Sequence, residues 1–320
     1  MTDMDDLSIR EAKLDDCMQI VKVHISDIND WLDAHNEFTA RYKSLDVTER
    51  WMRGGPWMSI ETCAIHINNF ILKEYKAYVA VLNEKIVGEI EVIPEHEPDP
   101  YNKNLYIYVF WIHKNFRGRG IGSNILSHIS KFARNLNLNS VITYPEEGSM
   151  NFYIKNGFKM LEKYVQIKLL PYDRRIDDVS IEEVPIKTLE NIDTSRYYFI
   201  IGRYGSSSSM LFNIRDDRFF LPKVNFKYKV YQIAWQDYKA YLVIRKSNIM
   251  KPSLYTWIKC DTLSRRIVNI IVKVAAYLAN REGLKEIHTC IREDFIAFLN
   301  KEFVKIIDGK DIYYYKRQLI

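Results

Sequence analysis

Cysteine is scarce in this chain, with 4 residues in 320. Cys17, Cys63, Cys260 and Cys290 are scattered and lie in apolar stretches. They read as reduced core residues and exclude a disulfide framework. Cysteine and histidine spacing gives no zinc signature, so no metal is expected. No run of 18 apolar residues occurs, which excludes a membrane-spanning helix of the usual kind. The acidic start (Asp3, Asp5, Asp6) does not read as a secretion signal, so a cytoplasmic location is the expectation. Charge of one sign is also lacking. Lysine and arginine number 46 against 41 acids, a net +5. That is too mild to argue for nucleic acid, though it suits a polyanionic ligand. Neither nucleic acid nor membrane is an expected partner. No Gly-Lys-Ser/Thr ending occurs in a glycine loop, so an NTPase phosphate loop is excluded.

What is present is enough chain for two domains, with 47% hydrophobic residues to fill their cores. One hexapeptide dominates: Arg117-Gly118-Arg119-Gly120-Ile121-Gly122. Before it, the aromatic and β-branched run Tyr106 to Ile112 reads as a strand. After it, Ile121, Ile125, Ile129, Phe132 and Leu136 recur at helical spacing. A strand, a glycine turn and a helix start make an anion cradle, because the first N–H groups of a helix lack partners and its dipole favours negative charge. Gly120 and Gly122 lack Cβ atoms, so a phosphate can approach the main chain. The plainer alternative is that the glycines only let the turn form. The pattern opens no N-terminal βαβ unit, which weakens a dinucleotide reading.

Arg-x-x-Gly-x-Gly after such a strand resembles motif A of the GNAT superfamily of N-acetyltransferases. Ser149-Met150-Asn151-Phe152-Tyr153-Ile154-Lys155-Asn156-Gly157-Phe158 resembles the family's motif B. The spacing leaves room for one helix and one strand, Val141 to Tyr144. The opening fits as well: a strand around Leu7 to Ala12, then Asp15 capping a helix with Met18, Val21, Ile25, Ile28 and Leu32 on one face. The resemblance covers residues 7 to about 170 and implies an α/β (α+β) fold, a mixed, mostly antiparallel sheet flanked by helices. It implies acetyl-CoA as co-substrate and an amine as acceptor. Phe110, Trp111 and Ile112 would bind the pantetheine arm through their backbone. Arg117, Gly118, Arg119, Gly120, Ile121, Gly122 and Ser123 would form the pyrophosphate turn. Tyr153 would return a proton to the departing thiolate; its alternative is packing beside Phe152 and Phe158.

The chain departs from the family pattern in two places. Glu146 stands where many members carry Asn, and Tyr106 to Ile112 holds no acid to serve as base. Glu89 and Glu91, two apart on the preceding strand Ile86 to Ile93, share one face and are candidates. A water relay competes with them, and a solvated strand face is the plainer expectation for either acid. His113 beside Lys114 reads as a surface residue. A non-catalytic acyl-CoA-binding protein is the rival to an enzyme.

Beyond Leu170, Pro171 to Asp178 reads as a linker between residues 1–172 and 178–320. The remainder looks like a degenerate copy of the first half. Superposing Trp111 on Trp257 without gaps aligns Ile112 with Ile258, Arg119 with Arg265, Ile121 with Ile267, Ile125 with Ile271 and Ala133 with Ala279. Ile267, Ile270, Ile271, Val274 and Leu278 keep the helical period. The chemistry is lost: Arg117, Gly120 and Gly122 correspond to Leu263, Arg266 and Val268, and one dropped residue brings Tyr153 to Phe298. The second copy is expected to keep the fold without binding acetyl-CoA. Between Asp46 and Tyr75, Trp51, Met52, Trp57 and Met58 precede Ile65, Ile67, Phe70 and Ile71 at helical spacing. This segment either walls an apolar acceptor pocket or packs on the core. Ser206 to Ser209 read as a flexible turn without active-site signal.

Overall fold

The computed structural model describes residues 6–220, 224–307 and 309–319. The first half runs β1 (Ser8–Glu11), α1 (Cys17–Ile25), α2 (Ala40–Ser44), α3 (Val47–Trp51), α4 (Ile60–Leu72), β2 (Lys76–Leu82), β3 (Lys85–Glu97), β4 (Asn102–Ile112), α5 (Ile121–Asn135), β5 (Ser140–Thr143), α6 (Met150–Lys155) and β6 (Lys159–Leu169). The second runs β7 (Ser180–Val184), β8 (Tyr198–Ile201), α7 (Ser207–Phe220), β9 (Lys227–Trp235), β10 (Tyr238–Lys246), β11 (Ser253–Lys259), α8 (Arg265–Arg281), β12 (Ile287–Arg292), α9 (Glu293–Ile296), β13 (Val304–Ile306) and β14 (Ile312–Gln318). A strand, a helical stretch, three strands, a long helix, a strand, a short helix and a strand recur in order, with β8 and β13 added in the second half.

The strands form one sheet in the order β1-β2-β3-β4-β5-β14-β6-β12-β8-β11-β10-β9-β7, with β13 also on β6. Most pairings are antiparallel; β4 with β5 and β11 with β12 are parallel. The last strand of the chain, β14, lies between β5 and β6 of the first half. In turn β6 pairs with β12 along Tyr164 to Leu169 and with β13 near its end. Each half thus supplies a strand to the other's side of the sheet, across the connection at residues 171–178.

α5 forms as its periodicity predicts. Ile121, Ile125, Leu126, Ile129 and Ala133 are buried against the sheet, while Leu136 is exposed at the helix end. In α8 the predicted face is likewise buried at Ile267, Ile271, Val274 and Leu278. The first helix corrects its expectation. It ends at Ile25 and does not continue to Leu32. The Ser26 hydroxyl donates to the Val23 carbonyl at 2.8 Å and accepts from the Lys114 N–H at 3.0 Å, so the chain leaves the helix there. Asp30 then takes a positive φ of 64°. The buried face is Cys17, Ile20, Val21 and His24, whereas Met18 is exposed. Asp16, and not Asp15, is the ordered acid at the helix start, held by Arg10 at 2.7 and 2.8 Å and by the Lys13 N–H at 2.8 Å.

Two buried contacts join the halves beside the first half's longest strand. Arg203 donates to Glu97 at 2.6 and 2.9 Å, and Glu95 accepts from the Ser208 N–H at 2.6 Å and its hydroxyl at 2.9 Å. Ser206 to Ser209 are therefore no flexible turn. They lead into and begin α7, and Ser206, Ser207 and Ser209 are buried. All four cysteines are free, and Cys17, Cys63 and Cys290 are buried.

Candidate active site

The site begins where β4 and β5 separate. They pair only from Asn104 with Ser140 to Ile107 with Thr143. On the other side of β4 the register with β3 jumps from Val109 to Ile107, so Tyr108 is looped out as a bulge. A bulge bends its strand and turns it away from its neighbour. Beyond Ile107 no described strand covers the β5-facing edge of β4. Phe110, Trp111 and Ile112 lie on that bare edge. The Ile112 carbonyl already accepts from Arg117 Nε at 2.9 Å.

Next to this edge lies the start of α5. Gly118 and Gly120 have φ of 74° and 83°, and the space where their Cβ atoms would stand is open. Gly120 is the N-cap, with no side-chain cap, and the first helical bond is from the Asn124 N–H to the Gly120 carbonyl. The N–H groups of Ile121, Gly122 and Ser123 thus lack helical partners beside exposed backbone. Gly122 serves packing too, since a Cβ would come within 3.0 Å of Phe152. The two arginines turn elsewhere. Arg117 forms a two-pronged pair with Asp27, and Arg119 donates to the Asn115 carbonyl and lies over the Phe116 ring.

Tyr153 lies at the crotch of the cleft. Its hydroxyl meets the side chain of Thr143, the last residue of β5 paired to β4. The ring packs against Phe152 and Phe158, both centroids at 5.2 Å. Burial raises the phenol's pKa, so it stays protonated.

The opposite face of β3 and β4 carries a polar cluster that the sequence only half disclosed. Glu89 and Glu91 are fully buried, which overturns the solvated-face expectation. His24 Nε2 lies 2.5 Å from Glu89 Oε2, and His66 Nε2 lies 2.8 Å from Glu91 Oε2. Trp57 Nε1 donates to Glu91 Oε1 at 2.8 Å. Trp57 and Trp111 stack on the two sides of His24, with centroids at 5.4 and 5.7 Å. Burial and the nearby Glu91 charge hold Glu89 well above the usual carboxylate range. Burial also raises Glu91, but the His66 charge, with hydrogen bonds from His66 and Trp57, outweighs it and leaves Glu91 below its ordinary value. His24 is pulled down to about 3 by burial, against the opposing pull of Glu91. One ionised acid on an imidazole and one neutral acid–imidazole pair result. The Glu89 Oε1 and Trp111 Nε1 atoms, on residues directly opposite in the ladder, have no hydrogen-bond partner among the described residues.

A cavity of about 170 Å³ adjoins this cluster. Trp57, His66 and Tyr108 form one wall; Phe212, Tyr255 and Arg245 of the second half form another. Tyr108 donates across the gap to Asn213 Oδ1 at 2.6 Å. The segment from Asp46 to Tyr75 lines this cavity with some residues and packs on the core with others. Trp51, Trp57 and His66 face the cavity, while Cys63, Ile67 and Phe70 fill the core. Ile65 and Ile71 are exposed, so the α4 stripe is rotated from the one predicted. His113 is buried, not on the surface; it accepts from the Asn115 N–H and meets Asn36.

In the second half the equivalent cleft is closed. β11 and β12 pair at Ser253 with His288, and β8 then inserts between them. It pairs with Thr256 and Ile258, the positions aligned with Phe110 and Ile112. At the start of α8, the Ser264 hydroxyl accepts from the Ile267 N–H, so a protein side chain fills the place left open in α5.

The histidines were readable in one respect. His24 and His66 both fall on the apolar phase of their helices, beside Ile20 and Val21 and beside Cys63 and Ile67. A buried histidine there calls for a buried partner. Which acid supplies it depended on the pairing of α1 and α4 with β3. Among the described residues no group of acids, histidines and cysteines could hold a metal, and no helix is long and apolar enough to cross a membrane.

Comparisons with known proteins agree with this geometry. Residues 31–158 match the model of the acetyltransferase (GNAT) family. N-acetyltransferase 8B of Rattus norvegicus is 24% identical over 124 residues, 36% of this chain and 56% of that protein. N-acetyltransferase 8F1 of the same species is 25% identical over 119 residues, 34% of this chain and 54% of that protein. The match spans about half the length of these curated relatives. Among solved structures, a GCN5-related N-acetyltransferase from Anabaena variabilis superposes on 98% of this chain and 73% of its own, with a TM-score of 0.63 and 12% identity. One from Kribbella flavida covers 98% and 72%, with a TM-score of 0.60 and 10% identity. These likenesses concern the fold, and they extend over both halves. The sequence likeness to the acetyltransferase (GNAT) family lies in residues 31–158, and the likeness in fold reaches beyond them.

Proposed function

We propose that this chain moves an acetyl group from acetyl-CoA to a primary amine by direct attack. The observation that carries the reading is the uncapped start of α5 beside the bare edge of β4. The residues fit the co-substrate: the N–H groups of Ile121, Gly122 and Ser123 suit a pyrophosphate, and the backbone of Phe110 and Trp111 suits an extended amide-bearing arm. Acetyl-CoA supplies the activated acyl group. The amine nitrogen bonds to the carbonyl carbon and the carbon–sulfur bond breaks. The amine's surplus proton passes to the His66–Glu91 pair, and Tyr153 gives a proton to the sulfur. The β4 backbone at the bulge stabilises the charge that builds on the carbonyl oxygen. Glu89, sharing a proton with His24, keeps that imidazole in place between Trp57 and Trp111. The second half binds no acetyl-CoA and acts as scaffold and acceptor wall.

Free thiol release from acetyl-CoA with a panel of amines tests the reading. Amine-dependent thiol release is the expected result. Tight acetyl-CoA binding with no release for any amine would favour a non-catalytic acyl-CoA-binding protein.

A further inference from the structure

We propose that Asp27, an acid, is a positioning residue for the anionic co-substrate. Paired with Arg117, it holds the turn from Gly118 to Gly122 in shape for a pyrophosphate, and neither side chain touches the ligand. The proposal rests on the acetyl-CoA reading above. Left-handed glycines let a phosphate approach the turn, but they do not hold it still. Glycine loses more conformational freedom on ordering than any other residue. A loose turn would lose that freedom at the moment of binding and weaken it, whereas a turn already fixed would not.

The residues before the turn are tied one by one. The Ile112 carbonyl accepts from Arg117 Nε at 2.9 Å. His113 Nδ1 accepts from the Asn115 N–H at 3.3 Å, and its Nε2 lies 3.2 Å from Asn36 Oδ1. With Nδ1 accepting, the ring proton sits on Nε2 and is donated to Asn36. The Lys114 N–H donates to the Ser26 hydroxyl at 3.0 Å, and Arg119 donates to the Asn115 carbonyl at 2.8 Å. Arg117 closes the set on Asp27, through Nη1 at 2.9 Å and through Nη2. Ser26, Asp27 and Asn36 all belong to the segment between α1 and α2, so that segment is the frame on which the turn is mounted.

All three nitrogens of Arg117 are thus engaged with protein acceptors, and its guanidinium carbon lies 5.6 Å from the centre of the Trp111 ring. A two-pronged pair fixes orientation as well as charge. Lysine cannot replace it, because a point charge cannot hold both carboxylate oxygens and the Ile112 carbonyl in one plane. By charge alone Asp27 would oppose a pyrophosphate. Its place on the arginine next to the turn therefore points to geometry and not to charge. The second half has lost the parts together: Leu263 stands at the position aligned with Arg117, and Arg266 and Val268 at those of Gly120 and Gly122.

Calorimetric titration of acetyl-CoA into variants of the full chain is the test. Asp27→Asn, Arg117→Met and Arg117→Lys should each weaken binding about fivefold, the scale of a well-formed exposed ion pair. The Asp27→Asn/Arg117→Met double variant should be no weaker than Arg117→Met alone, because the pair is already broken. Asp27→Glu keeps the carboxylate and should restore affinity to within about twofold. Arg41→Met breaks the exposed Arg41–Asp30 pair of the same segment and should leave affinity unchanged. Equal or tighter binding by Asp27→Asn would overturn the proposal, as would full affinity in Arg117→Lys, which would make Arg117 a charge for the phosphates. Additive losses in the double variant, or losses that follow a lowered melting midpoint without rescue by Asp27→Glu, would also overturn it. Each of these results leaves the acetyl-CoA reading standing. No binding by the unsubstituted chain would sink that reading and the proposal with it.

Discussion

Arg203→Met should be among the most damaging single substitutions in this chain. Arg203 is 1% exposed, and its guanidinium holds Glu97 with two bonds of 2.6 and 2.9 Å. Removing it leaves a buried carboxylate whose remaining side-chain hydrogen bond among the described residues is from the Ser207 N–H at 3.5 Å. Breaking a buried pair in this way costs about 3–5 kcal/mol, against a total stability of about 5–15 kcal/mol for a typical protein. Glu97→Gln should cost less. Arg203 then keeps the Phe199 carbonyl at 3.1 Å and the faces of Tyr101 and Tyr314, 3.5 and 5.0 Å from the guanidinium carbon. The double variant should lose about 2 kcal/mol less than the sum of the singles, because each single strands the other partner. Urea unfolding of the four proteins at pH 7 supplies the cycle. Because β6 and β14 pair across the halves, one cooperative transition is expected. Additive losses, or an Arg203→Met cost below about 1 kcal/mol, would refute the reasoning.

Three further outcomes follow from the site. Tyr153→Phe should lower turnover about 10²- to 10⁴-fold while acetyl-CoA affinity hardly changes, as for a lost general acid; nearly normal turnover where chemistry limits the rate would remove Tyr153 from this role. Glu91→Gln should cost turnover on a similar scale, with the gap closing from pH 7 to 10 as free amine replaces ammonium; a gap constant over that range would argue against a base at this position. Glu89→Gln tests the neutral acid. The raised Glu89 pKa means the folded protein keeps a proton that the unfolded chain has lost above about pH 4.3. His24, depressed to about 3, offsets this up to about pH 6.5, because the unfolded chain then binds the proton that folded His24 lacks. Above that, the Glu89 contribution is lost as pH rises through its folded value, at about 1.4 kcal/mol per pH unit. Glu89→Gln should flatten this decline in urea melts above about pH 6.5, and an unchanged slope would contradict a protonated Glu89.

What the sequence disclosed divides along a physical line. The turn at Gly118 to Gly122 and the helix after it were legible, because left-handed glycines and a 3.6-residue period are local properties. The repeat was legible in the preserved face of α8. The exchange of β6 and β14 was not. Lys163 to Leu170 and Asp311 to Leu319 read as strands, but nothing local names their neighbours. β8 escaped for the same reason: a four-residue run is ordered by the edge of β11 and not by its own propensity. Ser206 to Ser209 look like a loop until Glu95, Glu97 and Trp257 arrive from elsewhere in the fold. Likewise, two acids on a strand and two histidines on helices become one cluster only after α1 and α4 dock.

The central claim is a single acetyl-CoA site, open in the first half and closed in the second by β8 and Ser264. Calorimetric titration of acetyl-CoA into the full chain tests it most directly. One molecule should bind per chain, and Gly120→Val should abolish binding in a protein that keeps its circular dichroism, since a branched side chain at a φ of 83° would both strain the turn and fill the phosphate approach. Two molecules per chain, or unchanged affinity in a folded Gly120→Val protein, would contradict the account.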